Sequence, residues 1–117
     1  MQSHQNLISY QKSKELTKLV IALYTQTTKT KPTDIVFHQL IRSASSIGAN
    51  VIEGYGRNNS GEYRQFLGIA RGSALETEYW LEILAETAKI DLKTAQNLNT
   101  ELIKILTATI RSITNHP

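Results

Sequence analysis

The chain has no cysteine, only two prolines, one tryptophan and one methionine, and 7% aromatic residues in all. Without cysteine there are no disulfides, no thiol nucleophile and no thiolate metal site, a composition that fits a reducing compartment. No stretch alternates apolar and polar residues as a half-buried strand would, and both prolines fall outside the periodic segments. The longest apolar run, LVIALY at 19–24, is far too short to cross a bilayer. The opening MQSHQNLISYQKSK has no apolar core of a signal peptide, so the expected location is the cytoplasm, with no membrane partner.

What is present suits one folded domain. A chain of 117 residues with 40% hydrophobic and 20% charged side chains can bury a core, and is too short for two ordinary domains. Four stretches carry helical spacing. They predict helices over about 6–28, 34–55, 60–89 and 92–114, an all-α fold and an antiparallel up-down four-helix bundle. The expected core faces are Ile8, Leu16, Leu19 and Leu23; Leu40, Ala44, Ile47 and Val51; Tyr63, Phe66, Ala70, Leu81 and Leu84; and Ala95, Leu98, Leu102, Leu106, Thr109 and Ile113. Thr33 or Asp34 is the expected cap of the second helix, Asn58 or Asn59 (the latter with Glu62 in a capping-box position) that of the third, which begins near Asn59 or Ser60, and Asp91 that of the fourth.

The segment ANVIEGYGRNNSG at 49–61 has the glycine content of a phosphate loop. Gly56 and Gly61 are spaced as in a Walker loop, but Glu62 stands where the phosphate-binding lysine belongs. Gly54 and Gly56 begin a dinucleotide fingerprint, yet Asn59 takes the last glycine position and a helix replaces the required strand. The segment therefore reads as a helix end, with Gly54 or Gly56 left-handed, followed by a new cap.

Just before it, Gln39, Arg42, Ser46, Asn50, Glu53 and Arg57 share about a quarter-turn of the second helix, at about 100° per residue. Such a stripe is either a solvated face or a polar network between helices. Lys12, flanked by Ile8 and Leu16, must snorkel or find a carboxylate, Glu53 or another of the bundle.

The third helix has a second apolar stripe opposite its core face: Gly68, Gly72, Leu75, Tyr79 and Ile83, with Trp80 nearby. Glycine within a helix costs about 1 kcal/mol relative to alanine, so two of them one turn apart call for a packing reason. Tyr10, Ile21 and Tyr24 form a similar outer stripe on the first helix. One bundle has one interior, so these stripes predict contacts between copies of the chain.

Catalysis finds no constellation. A di-iron bundle needs Glu-x-x-His pairs, and none of His4, His38 and His116 has glutamate three places before it. No hydroxyl has an evident base, so neither an enzyme nor a cofactor or metal site is expected.

The motifs LISYQKSKEL, HQLIRSASSIGANVIEGYGR and GEYRQFLGIARGSALETEYWL resemble those of the 23S rRNA-intervening sequence proteins, over about residues 7–90. The matching positions are Gln39, Arg42, Ser46, Ile47, Asn50, Glu53 and Gly54, then Phe66, Leu67, Ile69, Ala70, Gly72, Ser73 and Glu76. Ser43, Val51 and Tyr10 depart mildly from the usual Ala, Ile and Trp. That family is similar in fold to the accessory variability proteins of diversity-generating retroelements, which form pentameric rings and bind nucleic acid and a reverse transcriptase. The resemblance thus implies a homopentamer with no defined enzymatic activity.

Charge points the same way without choosing a ligand. The net charge is +3; seven Lys/Arg face three Asp/Glu up to Arg57, and six face seven from Asn58 on. RNA or DNA is one expected partner, with RNA favoured and Lys14, Lys18, Arg57, Arg64 and Arg71 as contacts. A protein partner meeting the ridge of Glu78, Glu82 and Glu86 is the alternative. No aromatic platform or dense basic run supports stacking on bases.

Overall fold

The computed structural model describes residues 7–116. Four helices follow in order: α1 (Ile8–Gln26), α2 (Lys31–Tyr55), α3 (Ser60–Thr87) and α4 (Lys93–Asn115). Each packs on two neighbours, α1 on α2 and α4, α3 on α2 and α4, in a four-sided rod of 47 × 22 × 20 Å. Chain direction is set by the short connectors, and pairs such as Ser43–Thr77 and Ser73–Ser46 run antiparallel across α2 and α3. The expected start near Asn6, as well as His4 and Pro117, lies outside the described residues.

The ends of the helices follow local chemistry. The α2 cap is Thr30, whose Oγ1 accepts from the Thr33 N–H at 3.3 Å, and not Thr33 or Asp34. Pro32 consequently sits inside the first turn of α2, where its missing N–H has no helical partner to lose. Asn59 caps α3 as its spacing predicts, its Oδ1 accepting from the Glu62 N–H at 2.8 Å. The N-cap of α4 is the buried Leu92 and not Asp91, which stands one residue earlier and still accepts from the Lys93 N–H through Oδ1 at 3.1 Å. Neither Gly54 nor Gly56 is left-handed; Gly56 ends α2 at φ −76°, ψ −5°. Lys89, at the α3–α4 turn, is the described residue with positive φ, at 55°.

Gly54 has a different purpose. A Cβ there would lie 2.6 Å from Phe66 Cβ, so the bare backbone lets α2 and α3 approach closely. Gly48 does the same toward α1, where a Cβ would lie 2.8 Å from Ser13 Oγ.

The core is the expected seam of α2 with Phe37 added, plus Leu67, Ala70, Ala74, Leu81 and Leu84 of α3 and Ala95, Leu98, Leu102 and Leu106 of α4. Tyr63, Phe66, Thr109 and Ile113 are only half-buried. The main correction is in α1: Ile8 is 59% exposed, while Ser9, Ser13, Leu16 and Val20 face inward. Serine is tolerated there because Ser13 Oγ bonds within its own helix, to the Tyr10 carbonyl at 3.0 Å. Polar groups also cross the interior. Ser43 and Thr77 hydroxyls lie 2.9 Å apart, Thr17 Oγ1 donates to the Ala44 carbonyl at 3.3 Å, and Asn99 Nδ2 to the Ala74 carbonyl at 2.9 Å. Asn99 Oδ1 is buried with no partner among the described residues.

Candidate functional site

The α2 stripe meets α3 in two clasps. Arg42 Nε donates to Gln39 Oε1 at 3.2 Å, and its Nη2 donates to Glu76 Oε2, which also accepts from Trp80 Nε1 at 2.9 Å. One turn on, Ser73 Oγ donates to Ser46 Oγ at 3.0 Å, and Asn50 Nδ2 donates to the Ser46 carbonyl at 2.8 Å and its hydroxyl at 3.0 Å. Helical periodicity places all of these on one edge of α2, facing the adjacent edge of α3. The Arg42 and Glu76 side chains are 59% and 38% exposed, so the ion pair fixes alignment and adds only modest stability.

Not every stripe residue joins the clasps. Glu53 pairs at 2.7 Å with Arg57, just past the end of α2, and the Arg57 guanidinium lies 4.9 Å from the Phe66 ring centroid. Lys12 belongs to another side of the rod: it pairs with Glu101 of α4 at 3.0 Å rather than with Glu53. The hydrogen bond and charge of Glu101 hold its ammonium pKa above the ordinary value.

A cluster at the α1–α2 corner escapes a reading by periodicity. Tyr24 Oη donates to Asp34 Oδ1 at 2.6 Å and lies 3.3 Å from His38 Nε2, and Lys29 Nζ stands 4.0 Å from the Tyr24 ring centroid. The bond to Asp34 raises the phenol pKa, keeping the proton on oxygen, which is the reverse of an activated nucleophile. The i,i+4 spacing of Asp34 and His38 is the available signal; the tyrosine that joins them comes from another helix. Among the described residues no group of three or more His, Asp or Glu side chains is placed to hold a metal ion. No helix among them is long and apolar enough to cross a membrane.

The two outer stripes differ. On α1, Ile21 is 46% exposed, but Tyr10 and Tyr24 are half-buried and pack within the chain, so that stripe is largely spent on its own fold. On α3, a Cβ at Gly68 or Gly72 would meet nothing within 4 Å, and Leu75 and Tyr79 are 41% and 54% exposed. Ile83 is half-buried, and Ile69, 48% exposed, extends the ridge.

The cationic candidates do not gather in one place. Lys14 and Lys18 flank the α1–α2 groove beside Tyr10, Ser45 and Ile52. Arg71 lies across the rod between α3 and α4, its Nε donating to Thr107 Oγ1 at 2.8 Å, and Arg64 is exposed two turns earlier on α3.

Comparison with known proteins agrees with this fold. A crystal structure of a protein of unknown function from the S23 ribosomal protein family of Bacteroides thetaiotaomicron VPI-5482 superposes with a TM-score of 0.80 at 32% identity, covering 88% of this chain and 98% of that one. No curated protein matches the chain. The profile of the 23S rRNA-intervening sequence proteins matches residues 5–111, a span that includes α1 to α3 and most of α4. By that match the chain belongs to the 23S rRNA-intervening sequence protein family.

Proposed function

We propose that this protein is a non-enzymatic cytoplasmic scaffold that assembles with copies of itself into a ring of five and binds RNA. The observation that carries the reading is the outer face of α3. Ile69, Leu75 and Tyr79 are exposed beside two glycines with open space above them, while the interior of the bundle is already filled by the opposite face. A second copy of the chain suits this surface, because bare helix backbone at Gly72 admits another helix at close range. Five-fold closure is the expectation drawn from the family resemblance. The nucleic-acid part rests on the excess of basic residues and on arginines that no carboxylate among the described residues neutralises.

A second reading, recruitment of a basic protein partner, is favoured by Glu78, Glu82 and Glu86, which are exposed and form no ion pair among the described residues. Fluorescence anisotropy with a labelled RNA oligonucleotide separates the two. The RNA reading expects binding at low salt that weakens steeply as salt rises. Absence of binding at low salt overturns it in favour of recruitment.

A further inference from the structure

Of the five arginines, two are taken by a carboxylate, Arg42 on α2 by Glu76 and Arg57, just past the end of α2, by Glu53. The other three, Arg64 and Arg71 on α3 and Arg111 on α4, have no carboxylate partner among the described residues. Two of them share one concavity. A groove of about 390 Å³ between α3 and α4 is lined by Gly68, Arg71, Thr107, Arg111 and Thr114 together with an isoleucine and an asparagine, and no lining residue is acidic. From this we infer that the α3–α4 groove is a phosphate-binding site that takes the sugar–phosphate backbone of single-stranded RNA. The inference rests on the RNA reading above and assigns that reading a location.

Three features of the groove favour a phosphate strand over ordinary hydration. Thr107 Oγ1 engages Arg71 through Nε, which fixes the guanidinium plane and leaves its terminal N–H groups for an oxyanion. A Cβ placed on Gly68 would meet nothing within 4 Å, so a backbone can approach the wall of α3 there. Cations also recur along both walls: Arg64 precedes Arg71, and Lys104 precedes Arg111, by two helical turns, about 10 Å of rise. A run of phosphates neutralises such a series better than one small anion does. Sequence order conceals the site, because Arg71 and Arg111 lie on different helices far apart along the chain.

The groove borders the proposed self-association surface: Gly68 and Arg71 line the groove, with Arg71 held toward α4 by Thr107, whereas Gly72, Leu75 and Tyr79 belong to the ridge.

Anisotropy with a labelled single-stranded RNA oligonucleotide tests the assignment, using the full chain, the Arg71→Gln/Arg111→Gln variant and, on the opposite groove, the Lys14→Gln/Lys18→Gln variant. Circular dichroism melting establishes that each variant folds. The double arginine variant is expected to lose at least about tenfold in affinity at moderate salt, and its salt slope to fall by about 1.4, two single-strand phosphate contacts. The lysine variant is expected to stay close to wild type. Equal binding by wild type and the arginine variant, or a loss confined to the lysine variant, overturns the groove while leaving RNA binding standing. Failure of the wild type to bind at low salt overturns the RNA reading, and the groove with it.

Discussion

At the scale of single residues, glycines of one type serve opposite ends. Gly54 is enclosed, and a methyl group there would press on Phe66 Cβ, an atom held close to its own backbone. Gly54→Ala is therefore expected to push α2 and α3 apart and cost about 1–3 kcal/mol in urea denaturation. Asn99 makes the contrary case. Its amide donates to Ala74 but its oxygen is buried without a partner among the described residues, a penalty of about 1–3 kcal/mol. Asn99→Leu is expected to raise the urea midpoint; a lowered one would mean that the amide contributes more than its orphan oxygen costs. Titration adds a further expectation. Lys12 is raised by Glu101, Tyr24 by its bond to Asp34, and Tyr63 chiefly by burial. In all three the folded chain holds the proton more tightly, so their stabilisation is complete below the ordinary values near 10 and is lost as pH rises through the folded ones. Thermal melting should be flat in these groups from neutral pH to about 9 and fall above about 10, with Tyr24→Phe removing part of the alkaline slope.

At the scale of helices, caps and periodicity account for most of the architecture. Asn59→Ala should lower stability by about 1 kcal/mol, since the mutation leaves the Glu62 N–H without its side-chain acceptor. Asn59 is legible because, of Asn58, Asn59 and Ser60, it alone has a glutamate three places on, Glu62. In TKTKPTD several hydroxyls compete, and a proline suits the first turn of a helix as well as the loop before it, so the cap of α2 is Thr30 where spacing favours Thr33 or Asp34. Periodicity misplaces the inward face of α1 at Ile8 because Ser9 and Ser13 count as polar. In the fold their short side chains sit beside neighbouring helices, with Ser13 bonding inside its own turn. Gly54 resembles a helix stop because sequence carries no sign of the helix that will lie against it. Of the polar stripe, the shared face is readable; the partners Glu76 and Ser73, and the pairing of Lys12 with Glu101, require the bundle to be closed.

At the scale of the whole molecule, the rod presents three distinct surfaces: a clasped α2–α3 edge, a carboxylate-free α3–α4 groove, and the apolar ridge of α3. Assembly through the ridge is the central claim, and Gly72 tests it most directly. A Cβ at Gly72 meets nothing within 4 Å, and replacing a mid-helix glycine favours the helix by up to about 1 kcal/mol, so Gly72→Leu is expected to leave the bundle folded and to act on what packs against it. Light scattering on size-exclusion eluates at micromolar concentration should return about five times 13.1 kDa for the wild type and a much smaller mass for folded Gly72→Leu. A wild-type mass of one chain, or an unchanged assembly in the variant, would contradict association through this face.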